Sequence, residues 1–165
     1  MKKFELTTDT KMFLGKKLFR IKALISFGNV RAGDVGGYIE KEENLSQYGN
    51  AWVSGDAEVY GNAEVYGNAK VYGNAWVSGD AEVSGNAWVY GNADYATASG
   101  FGSECRTTTF FKLKNSDEIG VRCGCFYGTL KEFKEKVKET HGETKKAKEY
   151  LMLADLMEYR FSEEK

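Results

Sequence analysis

The chain has 165 residues, 42% of them hydrophobic, with a formal net charge of −1 and no proline. That is enough for one domain with a real core, or for a repeat flanked by two small caps. No apolar run approaches the ~18 residues of a membrane span, and the start Met1-Lys2-Lys3-Phe4-Glu5 lacks a signal-peptide core, so a cytoplasmic protein is expected, with no membrane partner.

Charge is unevenly spread. Residues 1–34 carry eight Lys/Arg against three acids, residues 35–103 two against nine, and residues 104–165 thirteen against twelve. A duplex nucleic acid would require a continuous positive track, so none is expected as a partner. The basic ends leave room for a small anion.

In chain order, Lys11 to Leu14 and Leu18 to Phe27 read as a hairpin around Gly15-Lys16, with Phe19, Ile21, Ala23 and Ile25 alternating against Arg20, Lys22 and Leu24. Its apolar side can cover the first coil of the repeat that follows. Gly33-Asp34-Val35-Gly36-Gly37 then makes a turn, with Val35, Ile39 and Leu45 expected to pack in an irregular opening turn.

From Asn50 to Gly91 one six-residue phrase, Asn/Asp-Ala-x-Val-Tyr/Ser-Gly, occurs seven times without insertion. Looser copies flank it at Asn44 to Gly49, Asn92 to Thr97 and Ala98 to Ser103. A period of six fits neither a 3.6-residue helix nor an array of hairpins. One short strand per copy and then a turn satisfies it: Ala and Val point inward, the residue between them points out, and Gly-Asn or Gly-Asp makes the corner. Three such sides close a triangular coil of eighteen residues. Coils stack at about 4.8 Å, so three make a prism roughly 15 Å tall whose ends must be capped.

Beyond the repeat, Arg106 to Lys114 and Ile119 to Phe126 read as a second hairpin, in a register that sets Phe111 opposite Cys123 and Leu113 opposite Val121. Thr129-Leu130-Lys131-Glu132 is a capping box opening a helix that buries Leu130, Phe133 and Val137 and stops at His141-Gly142. A second helix is expected from Lys145 to Tyr159, with Tyr150, Leu151, Ala154 and Met157 on its inner face. The expected organisation is an N-terminal hairpin cap (1–34), a repeat coil (35–103) and a hairpin with two helices (104–165).

Stacking by eighteen places Trp52, Lys70 and Trp88 above one another on an outer side, with Tyr72 and Tyr90 two residues along. Such an aromatic stripe is expected to meet a second copy of the chain or to stack on a ligand. The remaining sides carry Glu58, Trp76, Asp94 and Ser46, Glu64, Glu82, which read as solvated. In the second hairpin, the chosen register gathers Arg106, Thr108, Phe110, Lys112, Lys114 and Arg122 on one face, suiting a phosphate and a base. The same strands read equally well as a plain wet sheet face. His141 is the single histidine, and at a helix end it reads as a partner of the terminal carbonyls. Cys105, Cys123, Cys125 and His141 could make a zinc site, but their spacing favours buried, reduced thiols, so neither metal nor cofactor is expected.

The repeat, in which Ala57 stands four residues after Val53, resembles the hexapeptide-repeat, left-handed parallel β-helix family, whose members are commonly trimers. The resemblance implies a mainly β chain with three to four coils. Some members are acyltransferases with a histidine base in or near the coil, and the seven regular repeats here contain none. Leu18-Phe19-Arg20-Ile21-Lys22-Ala23, Gly33-Asp34-Val35-Gly36-Gly37-Tyr38-Ile39-Glu40, Gly124-Cys125-Phe126 and Thr140-His141-Gly142 together look like a group of small phage and prophage proteins of unassigned chemistry. The expectation is therefore a non-catalytic, homo-oligomeric binding protein in the cytoplasm of a bacterial host, sequestering a small nucleotide-derived signal of anti-phage immunity in clefts between subunits. An acyltransferase and a structural spacer are the alternatives.

Overall fold

The computed structural model describes residues 1–102 and 106–162. They form a mainly β protein with two α-helices, dividing into two compact units, Met1–Asn92 and Ala93–Lys165. Among the described residues no helix is long and apolar enough to cross a membrane.

The first unit opens with an antiparallel pair, β1 (Phe4–Phe13) and β2 (Lys16–Ala23), turning at Leu14 and Gly15, both at positive φ. Strand β1 is longer than the alternation of Lys11 to Leu14 suggests, and a register shift between Leu6 and Thr10 breaks its phase. On β2, Leu18 and Ile21 are both fully buried, although they are three residues apart, while Phe19 is half-buried. Strand β3 (Val35–Ile39) adds to β2 antiparallel. Ile39 and Leu45 are buried as expected, but Val35 is exposed.

The repeat forms seven two-residue strands: β4 (Trp52–Val53), β5 (Glu58–Val59), β6 (Glu64–Val65), β7 (Lys70–Val71), β8 (Trp76–Val77), β9 (Glu82–Val83) and β10 (Trp88–Val89). Each pairs in parallel with the strand eighteen residues away, giving the orders β4-β7-β10, β3-β5-β8 and β6-β9, the last extended by a bridge from Leu45 to Val65. The chain thus visits three sheets in turn and returns to the first after eighteen residues. Every repeat valine and alanine from Ala51 to Val89 is fully buried. The corners obey the sequence too: repeat glycines such as Gly61 (φ +68) occupy the left-handed region that a side chain disfavours.

The second unit is a four-stranded antiparallel sheet, β11 (Tyr95–Phe101), β12 (Arg106–Lys112), β13 (Ile119–Cys123) and β14 (Phe126–Thr129), with α1 (Leu130–His141) and α2 (Lys145–Phe161). The expected hairpin is only its centre. Residues 95–101, read as loose repeat copies, form β11 and pair antiparallel with β12 instead; Ser103 lies outside the described residues. Thr129 caps α1, its hydroxyl accepting from the Glu132 amide while Glu132 accepts from the Thr129 amide. Leu130, Phe133 and Val137 pack with Phe110, Val121 and Ala154 into this unit's core.

Val71 stands between Val53 and Val89 in the parallel register, with no accessible surface. Val71→Ala is expected to cost about 2–3 kcal/mol of unfolding free energy in urea titrations, from lost burial plus the cavity left behind. Glu64→Ala, at an exposed position of β6, should stay within about 0.5 kcal/mol of the parent.

Candidate functional site

The parallel register sets Trp52, Lys70 and Trp88 side by side across β4, β7 and β10, as the eighteen-residue spacing predicts. The three do not share one environment. Trp52 is 5% exposed because Phe4 and Phe27 place ring edges against it, with centroids 6.4 and 5.4 Å away. Gly36 lets β3 come equally close: a Cβ there would fall 2.7 Å from Trp52 Cζ2 and 2.5 Å from the Val53 carbonyl oxygen. Trp88 is half-buried, and Tyr72 meets it edge-on at 6.0 Å while also meeting Tyr90 at 4.9 Å.

Lys70 lies between the two indoles, its ammonium donating to the Asn50 carbonyl at 2.7 Å. These side chains floor a groove of about 470 Å³. Its other wall is the loop before β3, which contributes Asn29, Val30 and Asp34, with Val35 at the start of that strand. The loop is closed by paired backbone bonds between Phe27 and Val30, and Asp34 Oδ2 accepts from the Arg31 amide. An aromatic floor with an ammonium between its indoles and a carboxylate on the facing wall can stack a planar ring and hold a charged substituent.

A second ammonium lies beneath the neighbouring corner. Lys3 is 1% exposed, and its amine donates to the carbonyls of Ala51 at 2.8 Å, Gly49 at 3.4 Å and Tyr48 at 3.5 Å. Burial, and secondarily the charge of Lys70, lower its pKa from 10.5 to about 8. Sequence reasoning missed this residue, since nothing in Lys2-Lys3 distinguishes the buried lysine from the exposed one.

The hairpin residues behave differently. The register pairs Thr108 with Cys123, Thr109 with Arg122 and Phe110 with Val121, three residues away from the expected alignment. An odd slip reverses faces, so Arg122 lies on the side opposite Phe110. Phe110 is fully buried against Phe133, and the buried Thr108 hydroxyl donates to Cys123 Sγ at 3.2 Å. Lys112 pairs with Asp94 at 3.2 Å. The expected basic and aromatic face is therefore not one face. Lys114, also expected there, lies past the end of β12.

His141 ends α1 with its ring stacked 6.0 Å from that of Tyr150. Among the described residues no group of His, Cys, Asp and Glu is placed to hold a metal ion, and Cys105 lies outside the described residues. No protein-family model matches the chain, and no curated protein matches it either.

The groove's construction has two measurable outcomes. Gly36→Ala should destabilise the protein by about 1–3 kcal/mol and shift its tryptophan fluorescence, because the added methyl displaces Trp52 or the Val53 backbone. The unfolded chain holds the Lys3 proton up to about pH 10.5 and the folded chain only to about pH 8, so the unfolded state binds more protons between those values. The burial penalty of Lys3 is complete below pH 8 and relieved as pH rises. Relative to Lys3→Met, the parent should accordingly gain unfolding free energy between about pH 8 and 10.5 in urea titrations.

Proposed function

We propose that the repeat is a left-handed parallel β-helix and that the protein is a non-catalytic, homo-oligomeric binding protein whose ligand is a small, anionic, nucleotide-derived molecule. The observation that carries the reading is the convergence of Trp52, Lys70, Tyr72 and Trp88 on one groove. Its volume falls within the ~300–1,000 Å³ of small-molecule sites. A base stacks on the indole and phenol faces, and a phosphate meets the Lys70 ammonium, which is already turned toward the groove floor by its bond to Asn50. Abundant, tight binding without turnover would suit sequestration of a signal, as an anti-defence sponge does.

Self-association is the role that suits the surface the coil leaves apolar. Trp76, on β8, and Tyr90, just past β10, are 42% and 61% exposed, and a second copy would cover them. The acyltransferase alternative requires an imidazole at the binding site, and His141 is not among the residues lining this groove.

Calorimetry of the purified protein against ADP-ribose and cyclic dinucleotides tests the reading. Saturable binding to one of them is expected, weakened at least tenfold in Trp88→Ala and in Lys70→Ala, in line with ~1–3 kcal/mol for a base stacked on an aromatic ring. Flat titrations with the whole set would remove the nucleotide reading and leave a structural or protein-binding module.

A further inference from the structure

Helix α2 is apolar on two sides, and the core of its unit uses one of them. Ala147, Tyr150, Ala154 and Met157 face that core. Met152, Leu156 and Tyr159 are 71%, 55% and 80% exposed. At about 3.6 residues per turn, their spacings of four and three set them in one stripe, on the side of the helix opposite the core. A helix on the surface of a unit normally carries polar residues there. Three large apolar side chains in a row mark a surface that meets a partner.

The charges beside the stripe indicate which partner. Lys145, Lys146 and Lys148 stand at the start of α2, where the first turn holds no acidic residue. Lysines at a helix N-terminus oppose the macrodipole, so their placement costs the isolated helix stability. Asp155 and Glu158 lie in the second half, and Lys134 of α1 pairs with both, its amine 3.1 Å from Asp155. One cation thus serves two carboxylates, and the group keeps one negative charge. Lys145, Lys148 and Asp155 are all exposed.

We propose that α2 is a self-association surface, on which two copies of the chain pair antiparallel with Met152 at the centre and Lys148 of each copy on Asp155 of the other. About a two-fold axis beside Met152, positions equally distant on either side meet, and the same flank of the two helices comes together. Lys148 then faces the second copy's Asp155 and brings the Lys134 group to neutrality. Leu156 lies against the methylenes of the second copy's Lys148, and Tyr159 offers its ring to the second copy's Lys145. A parallel pairing would set lysines against lysines. The surface belongs to the second unit, whereas the groove and the coil's exposed aromatics belong to the first, so it depends on neither.

Sedimentation equilibrium of the full chain and of charge-reversed variants provides the test. Lys148→Asp and Asp155→Lys each oppose like charges across the two-fold, and each should weaken the pairing at least about tenfold. In an equimolar mixture of the two variants, opposite charges face each other again at both positions, and pairing should return to within about threefold of the parent. Leu156→Ser, at an exposed position, carries the same weakening should Asp155→Lys fold poorly once its contact with Lys134 is lost. The series is repeated in a Trp76→Ala background, which separates this step from assembly through the coil, and the pairing should persist there. A parent that stays monomeric at millimolar concentration, a mixture no better than either variant alone, or association lost with Trp76→Ala yet indifferent to the α2 variants would overturn the proposal.

Discussion

The backbone bond from one strand to the strand eighteen residues on governs the first unit. The Trp52 amide donates to the Ala69 carbonyl at 3.0 Å, Glu58 to Ala75 at 2.9 Å, Glu64 to Ala81 at 2.9 Å and Lys70 to Ala87 at 2.9 Å. With the offset fixed on all three sheets, each side chain must sit above its counterpart, and an inserted residue would shift the register of every pair that spans it. Alanine and valine alternate inward because the enclosed space admits nothing larger at one position and requires a branched filler at the next. The same constraint acts outside. Trp52 and Trp88 are held two strands apart, about 10 Å at the usual ~4.8 Å spacing, with Lys70 between them. Three stacked indoles would fill that side; the lysine leaves it open.

A stack of this kind has a first strand whose carbonyls find no partner above, and the molecule supplies donors from elsewhere. Lys3 donates to the carbonyls of residues 48, 49 and 51, and the fully buried Asn44 donates to those of Gly61 at 3.2 Å and Ala63 at 2.8 Å. The third sheet is continued instead of plugged, through β3 and then β2 and β1. Where that extension crosses the coil, Lys11 pairs with the buried Glu58, and Tyr38 lies between Lys11 and Arg20, 4.1 and 4.3 Å from its ring centre. The hairpin is thus the edge of a sheet, a more demanding role than a lid, because its backbone must match the coil's own register.

The repeat was readable because its period is a statement about backbone bonds, and the helices because Thr129 and Gly142 carry their own end signals. Elsewhere the sequence was silent for identifiable reasons. Adjacent Phe110 and Phe111 give the alternation of β12 no phase, and both turn out to be fully buried. The loop that sets the register contains Asn115 at φ +52, a conformation that asparagine tolerates but does not require, so its presence alone does not fix where the chain turns. Asn92-Ala93-Asp94-Tyr95 imitates a repeat copy up to the position where valine should stand. Tyrosine is too large for the space that valine fills, and the chain leaves for another sheet. The stripe was legible as a register but not as a groove, since the loop and the rings that wall it come from residues 4 to 35.

That wall makes the groove unequal. Trp52 is clamped by Phe4, Phe27 and the close approach of Gly36, whereas Trp88 and Tyr72 remain partly accessible and rest on each other. One side is therefore preorganised and the other can adjust, which lowers the entropy of ordering a ring between them. The charges are arranged to similar effect. Lys3 and Lys70 donate to the consecutive carbonyls of Ala51 and Asn50, so each raises the cost of the other's charge. An anion seated against Lys70, as proposed, would offset that repulsion and favour the protonated form of Lys3. By reciprocity, protonation of Lys3 favours the anion. The buried lysine that completes the first strand's hydrogen bonds thereby also contributes to the potential of the groove, without lining it.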